Sequence, residues 1–360
     1  MAITRIVITG GPCGGKTTLL EEVKKEISVY GYRVICIFET ATELIQGGIA
    51  PWNCSSPTTF QKTRMLLQKN REEIYESALC NSRENILIVC DRGMMDSLAY
   101  MEKSDFLDCL SEMGMSEITA RDRYDGVFHL ESAAVGALES YTLSNNSART
   151  EDAKTAAELD MKVMCAWVGA PHLRCIKAEK SLEKKKESLI SEIKALLGIP
   201  RPLETERKFL IEYPDKKMLE KMPECKRVFI AQTYLEGSSE EERRVRKRGD
   251  GEDFIYYYTE KKKISSAVRE EKERQITKAE YESLLKQADG TRRTVEKDRY
   301  CLMHKGQYFE IDVYPCFKDI AIMEIELSDE SRSVEFPGFL KVIKEVTGDE
   351  KYKNSTIAKK

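Results

Sequence analysis

Between residues 204 and 326, one short segment after another places charge at every second position. "LETERKFLI" (203–211) reads as a strand, and the alternation of side chains across a strand puts Glu204, Glu206 and Lys208 on one face. The same period recurs in "RRVRKR" (Arg244, Arg246, Arg248) and "YTEKKK" (Thr259, Lys261, Lys263), and again in "REEKE" (Arg269, Glu271, Glu273) and "EKDRY" (Lys297, Arg299). "FEIDVY" sets Glu310 and Asp312 against apolar Phe309, Ile311 and Val313, and "IMEIEL" sets Glu324 and Glu326 against Met323, Ile325 and Leu327. An ordinary sheet with one solvated face explains any one of these strands. Seven of them carrying both signs fit better a closed antiparallel barrel with a polar lumen, in which lumen-facing and outer residues alternate on every strand. Basic side chains in such a lumen grip phosphates, and carboxylates hold divalent cations.

The first half of the chain follows another rule. Apolar runs at 5–10, 33–39, 85–91, 126–131 and 172–177 alternate with helical stretches such as 16–29 and 58–80, the signature of a parallel sheet wrapped by helices. "GGPCGGKT" follows the first run and opens the first helix. It fits G-x-x-x-x-G-K-[ST], with Gly10, Gly11, Pro12, Cys13, Gly14 and Gly15 as the loop and Lys16, Thr17 and Thr18 starting the helix. Glycines let backbone N–H groups close round a polyphosphate, the helix N-terminus favours its charge, Lys16 reaches the β/γ-phosphates and Thr17 is a Mg²⁺ ligand. This predicts a nucleoside triphosphate site. Asp91, closing "NILIVCD", is the natural partner of that Mg²⁺, or else a helix cap, and Arg92 in "DRGMMDS" is placed to reach phosphate. Glu39 ends the second run on the edge where ligands collect in such sheets; it is either a base for a substrate hydroxyl or a cap. Arg149, in the polar stretch "YTLSNNSARTED", suits a lid over the transferring phosphoryl group, the alternative being an exposed arginine.

A lysine-rich helix over 178–198 ends at Gly198, and the pattern changes at Pro200–Pro202, so two domains, 1–199 and 200–360, are expected. With a net charge of −3, no general attraction to nucleic acid or to an acidic membrane is implied. Eleven cysteines with no C-x-x-C, and three scattered histidines, give no zinc spacing and suggest free thiols in a reducing compartment. "MAITRIVITG" runs straight into a strand, which suggests no signal peptide, and no apolar run approaches the ~20 residues that span a bilayer. A cytoplasmic protein is expected, with peripheral membrane contact left open.

Glu204-x-Glu206-x-Lys208 resembles the E-x-E-x-K signature of the CYTH, or triphosphate tunnel metalloenzyme, superfamily. Arg244-x-Arg246, Lys261, Arg269, Lys297-x-Arg299, Asp312 and Glu324-x-Glu326 follow its order over about 202–330. The resemblance implies that the basic residues bind a triphosphate, and that Glu204, Glu206, Asp312, Glu324 and Glu326 bind Mg²⁺ or Mn²⁺. A P-loop domain with "DRG" and "NNSARTE", joined to a CYTH-like domain, resembles the TRPL-translocation-defect family, which implies binding of GTP and phosphatidic acid and a role in membrane trafficking. The first domain is also similar to nucleoside and nicotinamide riboside kinases. Where guanine-specific GTPases carry N-K-x-D this chain has "CIKAEK", so GTP and ATP are not told apart. The expected fold is an α/β P-loop NTPase followed by an α+β antiparallel CYTH-type tunnel barrel. The expected function is binding and slow hydrolysis of GTP or ATP, joined to binding of a phosphorylated ligand such as a phospholipid headgroup. The rival is a metabolic enzyme, a riboside-type kinase fused to an inorganic or thiamine triphosphatase.

Overall fold

The computed structural model describes residues 3–12, 14–136, 152–179, 181–199, 205–237, 241–263, 269–327 and 333–360. The chain divides into two compact units, Met1–Ile199 and Pro200–Lys360.

The first unit begins β1 (Ile3–Thr9), α1 (Lys16–Ser28), β2 (Tyr32–Ile37), α2 (Thr40–Gln46), α3 (Pro57–Leu79) and β3 (Asn85–Asp91). A 3-10 segment at Met94–Tyr100 leads to α4 (Lys103–Glu112), α5 (Glu117–Arg121), β4 (Gly126–Leu130) and α6 (Ala133–Gly136). Then come α7 (Ala153–Trp167), β5 (Leu173–Ile176) and α8 (Leu182–Leu196). The five strands are parallel in the order β2-β3-β1-β4-β5. Because both faces are covered, the central strands are apolar throughout rather than alternating: Ile6, Val7 and Ile8 of β1 and Ile86 to Val89 of β3 are fully buried. Leu19, Leu20, Val23 and Ile27 of α1 and Leu189, Ile190 and Ile193 of α8 share one cluster with Ile6, Ile8 and Phe128. β1 and β3 run in register, Ile8 opposite Asp91, so the loop after β1 and the carboxylate ending β3 emerge side by side at one sheet edge.

The second unit is an antiparallel sheet with short helices. It contains β6 (Thr205–Glu212), α9 (Lys216–Lys221), β7 (Cys225–Tyr234), β8 (Glu241–Asp250), β9 (Asp253–Lys263) and β10 (Arg269–Ile276). It continues with α10 (Lys278–Leu285), β11 (Val295–His304), β12 (Gln307–Val313), β13 (Ile320–Leu327), β14 (Val342–Glu345) and α11 (Asn354–Ile357). The strand order is β10-β9-β8-β7-β11-β12-β13-β6-β14. One face is apolar, with Phe209, Ile211, Leu302, Phe309, Ile311, Met323 and Ile325 packed with Leu219 of α9 and Leu340. The opposite face carries the alternating charges and is also buried: Lys297 and Arg299 on β11, Asp312 on β12, Glu324 on β13 and Arg248 on β8. An ordinary solvated sheet face is thereby excluded for these strands. Among the described residues the ladder has two ends, β10 and β14, so burial of the charged face, not a closing pair of strands, is what the structure shows. Part of that face is covered where Leu210, Tyr234, Val295, Tyr314 and Ile322 cluster with Tyr352 and Ala358 of the C-terminal segment, Tyr314 donating to Asn354 Oδ1 at 2.8 Å. Among the described residues, no helix is long and apolar enough to cross a membrane.

Candidate functional site

The loop between β1 and α1 can exist only with glycine at its closest approaches. Gly10 has φ 135°, and a Cβ there would lie 2.1 Å from the Leu130 carbonyl oxygen; Gly15, with φ 83°, is the N-cap of α1. Lys16 folds back over the loop, its ammonium donating to the carbonyls of Gly10 at 3.0 Å and Gly11 at 2.8 Å. Burial, reinforced by the Arg92 charge, lowers its pKa to about 8 against the pull of Asp91, Glu39 and Asp96. Two carbonyl dipoles are weaker partners for an ammonium than phosphate oxygens are, so the lysine is held ready for exchange. Thr17 and Thr18 are exposed in the first turn of α1. Lys185 of α8 braces the loop from behind, donating to the carbonyls of Gly14 at 2.9 Å and Glu131 at 2.6 Å.

Beside the loop lies a dense charge cluster. Asp91 is 3% exposed, and its Oδ1 has no hydrogen-bond partner. Burial and the Glu39 charge raise its pKa to about 6, against Lys16 and Arg92. A buried carboxylate oxygen without a donor, next to a phosphate-loop lysine, is the chemistry a hard cation completes, and exposed Thr17 supplies the hydroxyl type that accompanies it, so these residues fit Mg²⁺. Arg92 sits in the left-handed region at φ 67°, a strained position for a residue with a side chain. Its guanidinium donates to Glu39 Oε1 at 2.6 Å and Asp96 Oδ1 at 3.0 Å. Burial opposes the Glu39 charge, but Arg92, Lys16 and the Thr42 hydroxyl hold its carboxyl at about 2. A carboxylate so firmly ionised is a weak proton acceptor, which counts against Glu39 as a general base. Asp96, 1% exposed, gathers the Thr9 hydroxyl at 2.5 Å, the Gly93 amide at 2.8 Å and the Trp167 indole N–H at 3.2 Å as well as Arg92.

In the second unit the charges pair with one another. Arg299 makes a bidentate contact to Asp312, both bonds 2.7 Å, reaches Glu324 at 2.9 Å and also pairs with Glu310. Lys297 pairs with Asp312, which is fully buried, and lies 3.4 Å from the Tyr314 hydroxyl. Lys208 bridges Glu324 at 2.5 Å and Glu206 at 3.1 Å. Across β8–β10, Arg246 donates to Glu273 at 2.7 Å, as does the Thr259 hydroxyl at 2.7 Å. Burial disfavours the Glu324 charge, yet Lys208, Lys297 and Arg299 outweigh it and hold the carboxyl far below its usual range. Glu206 goes the other way: burial and the neighbouring Glu324 push it up to about 8 despite Lys208.

The family model described as an AAA domain matches residues 5–185, half of the chain. The chain belongs to that AAA-domain family. No curated protein matches it. Among solved structures it is similar to the hypothetical protein NE1496, at 31% identity over 43% of this chain and 97% of that one, with a TM-score of 0.32. It is likewise similar to the inorganic triphosphatase NE1496, at 31% identity over 43% and 94%, TM-score 0.31. PH1012 from Pyrococcus horikoshii OT3 is 21% identical over 35% and 80%, TM-score 0.27.

The AAA domain brings Lys16, Glu39, Asp91 and Arg92 into one cluster with the loop glycines, which makes it a nucleotide-binding domain of the P-loop type. Cys13 and Arg149 lie outside the described residues, as does Glu204 of the second unit, and of Arg269 only the backbone is described. The second unit assembles Lys208, Lys297, Arg299, Asp312 and Glu324, with Arg244, Arg246, Lys261, Glu206 and Glu326 half-buried. Asp312, expected among metal ligands, is instead saturated by two cations, because Arg299 and Lys297 converge on its two oxygens. Among the described residues, no group of three or more His, Cys, Asp or Glu side chains is assembled for a metal ion. The buried polar residues of the AAA domain that the sequence does not single out include Asp96, Asp160, Lys185 and Arg64. Asp96 was within reach, five positions after Asp91 in "DRGMMDS"; Asp160, Lys185 and Arg64 carry no local signal.

Proposed function

We propose that the AAA domain binds and hydrolyses GTP or ATP with Mg²⁺, and that the second unit takes a ligand with a phosphate chain, of which an inorganic or nucleoside triphosphate is the type. The observation that carries the first part is the pairing of a retracted Lys16 with the unpartnered oxygen of Asp91 at one sheet edge. Lys16 moves from the two carbonyls to phosphate oxygens, Arg92 adds charge where the transferring group develops it, and Asp91 with Thr17 holds the cation. Mg²⁺ supplies charge neutralisation at the phosphoryl oxygens when bound.

The second part rests on a face where Lys208, Lys297 and Arg299 are enclosed with Glu206, Glu310, Asp312 and Glu324. An anion entering alone must pull Lys208 and Arg299 away from Glu324. Glu324 and Glu206 would hold a divalent cation bound together with the anion, which would leave Lys208 and Arg299 free to pair with the phosphates. Metal and anion are therefore expected to bind cooperatively. A phosphatidic acid headgroup, the ligand type implied by the trafficking family, presents a shorter phosphate and leaves more of these cations without a partner.

Calorimetry with MgATP, MgGTP, tripolyphosphate and a soluble phosphatidic acid headgroup tests the reading, each with and without divalent metal. The expected result is nucleotide binding abolished by Lys16→Ala, and metal-dependent tripolyphosphate binding that survives this substitution. Loss of both ligands in Lys16→Ala, or of neither, overturns the assignment. Preference for the headgroup over tripolyphosphate sinks the triphosphate reading in favour of the lipid one.

A further inference from the structure

One helix touches both sides of the phosphate site. Asp160, in the middle of α7 and 4% exposed, accepts from the Gly11 amide at 2.6 Å and the Ser132 amide at 3.2 Å, with its other oxygen 3.2 Å from His129 Nε2. The Gly10–Gly11 peptide is thus held at both ends: its N–H by Asp160, its carbonyl oxygen by Lys16. Seven residues on, two helical turns along the same face, Trp167 is fully buried and donates its indole N–H to Asp96, the residue that fixes Arg92. Each contact requires a glycine opposite. A Cβ on Gly11 would lie 2.7 Å from Asp160 Cβ and Oδ1, and a Cβ on Gly93 would lie 2.8 Å from the Trp167 ring. Two side chains of one rigid element therefore dock on the two glycine-marked segments that flank the site.

We infer that α7 sets the geometry of the phosphate site, with Asp160 and Trp167 as positioning residues: Asp160 orients the loop peptide so that it stays in place when Lys16 leaves for phosphate, and Trp167 ties the Arg92–Asp96 segment to the same helix. A change at the loop then reaches Arg92 through α7. This inference rests on the nucleotide reading of the AAA domain.

The chain has two tryptophans, and Trp52 is 72% exposed, away from these contacts. In Trp52→Phe protein the emission therefore reports Trp167 alone. Saturating MgATP or MgGTP is expected to shift that emission. Asp160→Ala is expected to weaken nucleotide binding about tenfold, the effect of losing a charge-assisted bond, and to abolish the shift even at saturating nucleotide. Asp160→Asn, which keeps shape and an acceptor oxygen, restores most of the affinity. If Lys16→Ala abolishes binding but Asp160→Ala binds as wild type does, the inference alone is overturned. It is also overturned if Trp167 emission ignores saturating nucleotide, a result that needs no Asp160 variant to fold. Absence of nucleotide binding by the wild-type chain overturns the nucleotide reading and this inference with it.

Discussion

The phosphate loop and the charged sheet face both gather cations, but they store those cations differently. At the loop, Lys16 rests on two neutral carbonyls. On the sheet face, Lys208, Lys297 and Arg299 rest on ionised carboxylates. A carbonyl is readily exchanged for phosphate; a buried ion pair is not, because separating it leaves two uncompensated charges in a medium of low dielectric. On the proposed reading, the loop opens for its ligand unaided, whereas the sheet face needs a metal to release its cations. The same difference means that the sheet cations also hold the fold together, whereas the loop lysine contributes to binding alone.

Stability tests that last point most strongly. Arg299→Ala leaves Asp312 to Lys297 and Glu324 to Lys208 as their remaining cations and is expected to destabilise the second unit by up to about 3 kcal/mol, the lower end for a broken buried pair, read as a lowered urea midpoint. Lys16→Ala is expected to move the midpoint little, since it removes a charge whose burial is itself unfavourable. Equal midpoints for the two variants would remove the contrast.

Binding sharpens it next. Lys16→Ala is expected to abolish measurable nucleotide binding, a loss of at least roughly a hundredfold from a strong charge-assisted contact, and tripolyphosphate bound with metal is the internal control. Asp91→Asn is expected to lower Mg²⁺-dependent turnover about ten times more than it lowers nucleotide affinity, because the cation matters most as charge develops on the phosphoryl group. Equal losses in both measurements would return Asp91 to a structural role.

The contrast also explains what could be read from the sequence. The loop was legible because its chemistry is local: Gly10, Gly15, Lys16 and Thr17 lie within eight residues, and strand and helix flank them in the chain. The sheet face was legible because period 2 survives in any strand, so Lys297, Arg299, Asp312 and Glu324 could be set on one face without knowing which strands pair. What stayed hidden depends on long-range placement. Asp160 meets Gly11 across 149 residues, and Lys185 meets Gly14 across 171; a lone aspartate and one lysine in a lysine-rich helix look like solvated charges until the fold is known. The partners of Asp312 stayed hidden for the same reason: alternation placed it on the face but could not say that Lys297 and Arg299 would converge on it. The buried stripe of Gln61, Arg64, Gln68 and Glu72 on α3 likewise looks like the solvent side of a helix, whereas Arg64 donates to Ser97 at 2.9 Å and Glu72 accepts from Tyr124 at 2.7 Å.

The smallest expected effect is the most specific to the sheet face. Glu206, pushed up to about 8 by burial and by Glu324, carries a proton at neutral pH in the ligand-free chain. The folded state therefore binds that proton more tightly than the unfolded state, and the associated stability, complete below pH 4.5, is lost as pH rises towards 8. Metal binding runs the other way, since a carboxylate must be ionised to ligate. Divalent metal affinity is expected to climb with pH, by at most the tenfold per pH unit of one released proton, up to about 8 and then to level off. Mn²⁺ titrations from pH 6 to 9 in buffers of different ionisation enthalpy measure both the slope and the proton released. Glu206→Gln is expected to flatten the slope and abolish the release. The phosphate loop predicts the opposite trend for nucleotide, whose affinity falls above pH 8 as Lys16 loses its charge. Parallel pH profiles for Mn²⁺ and nucleotide would show that the two regions do not store their charges in the different ways drawn here.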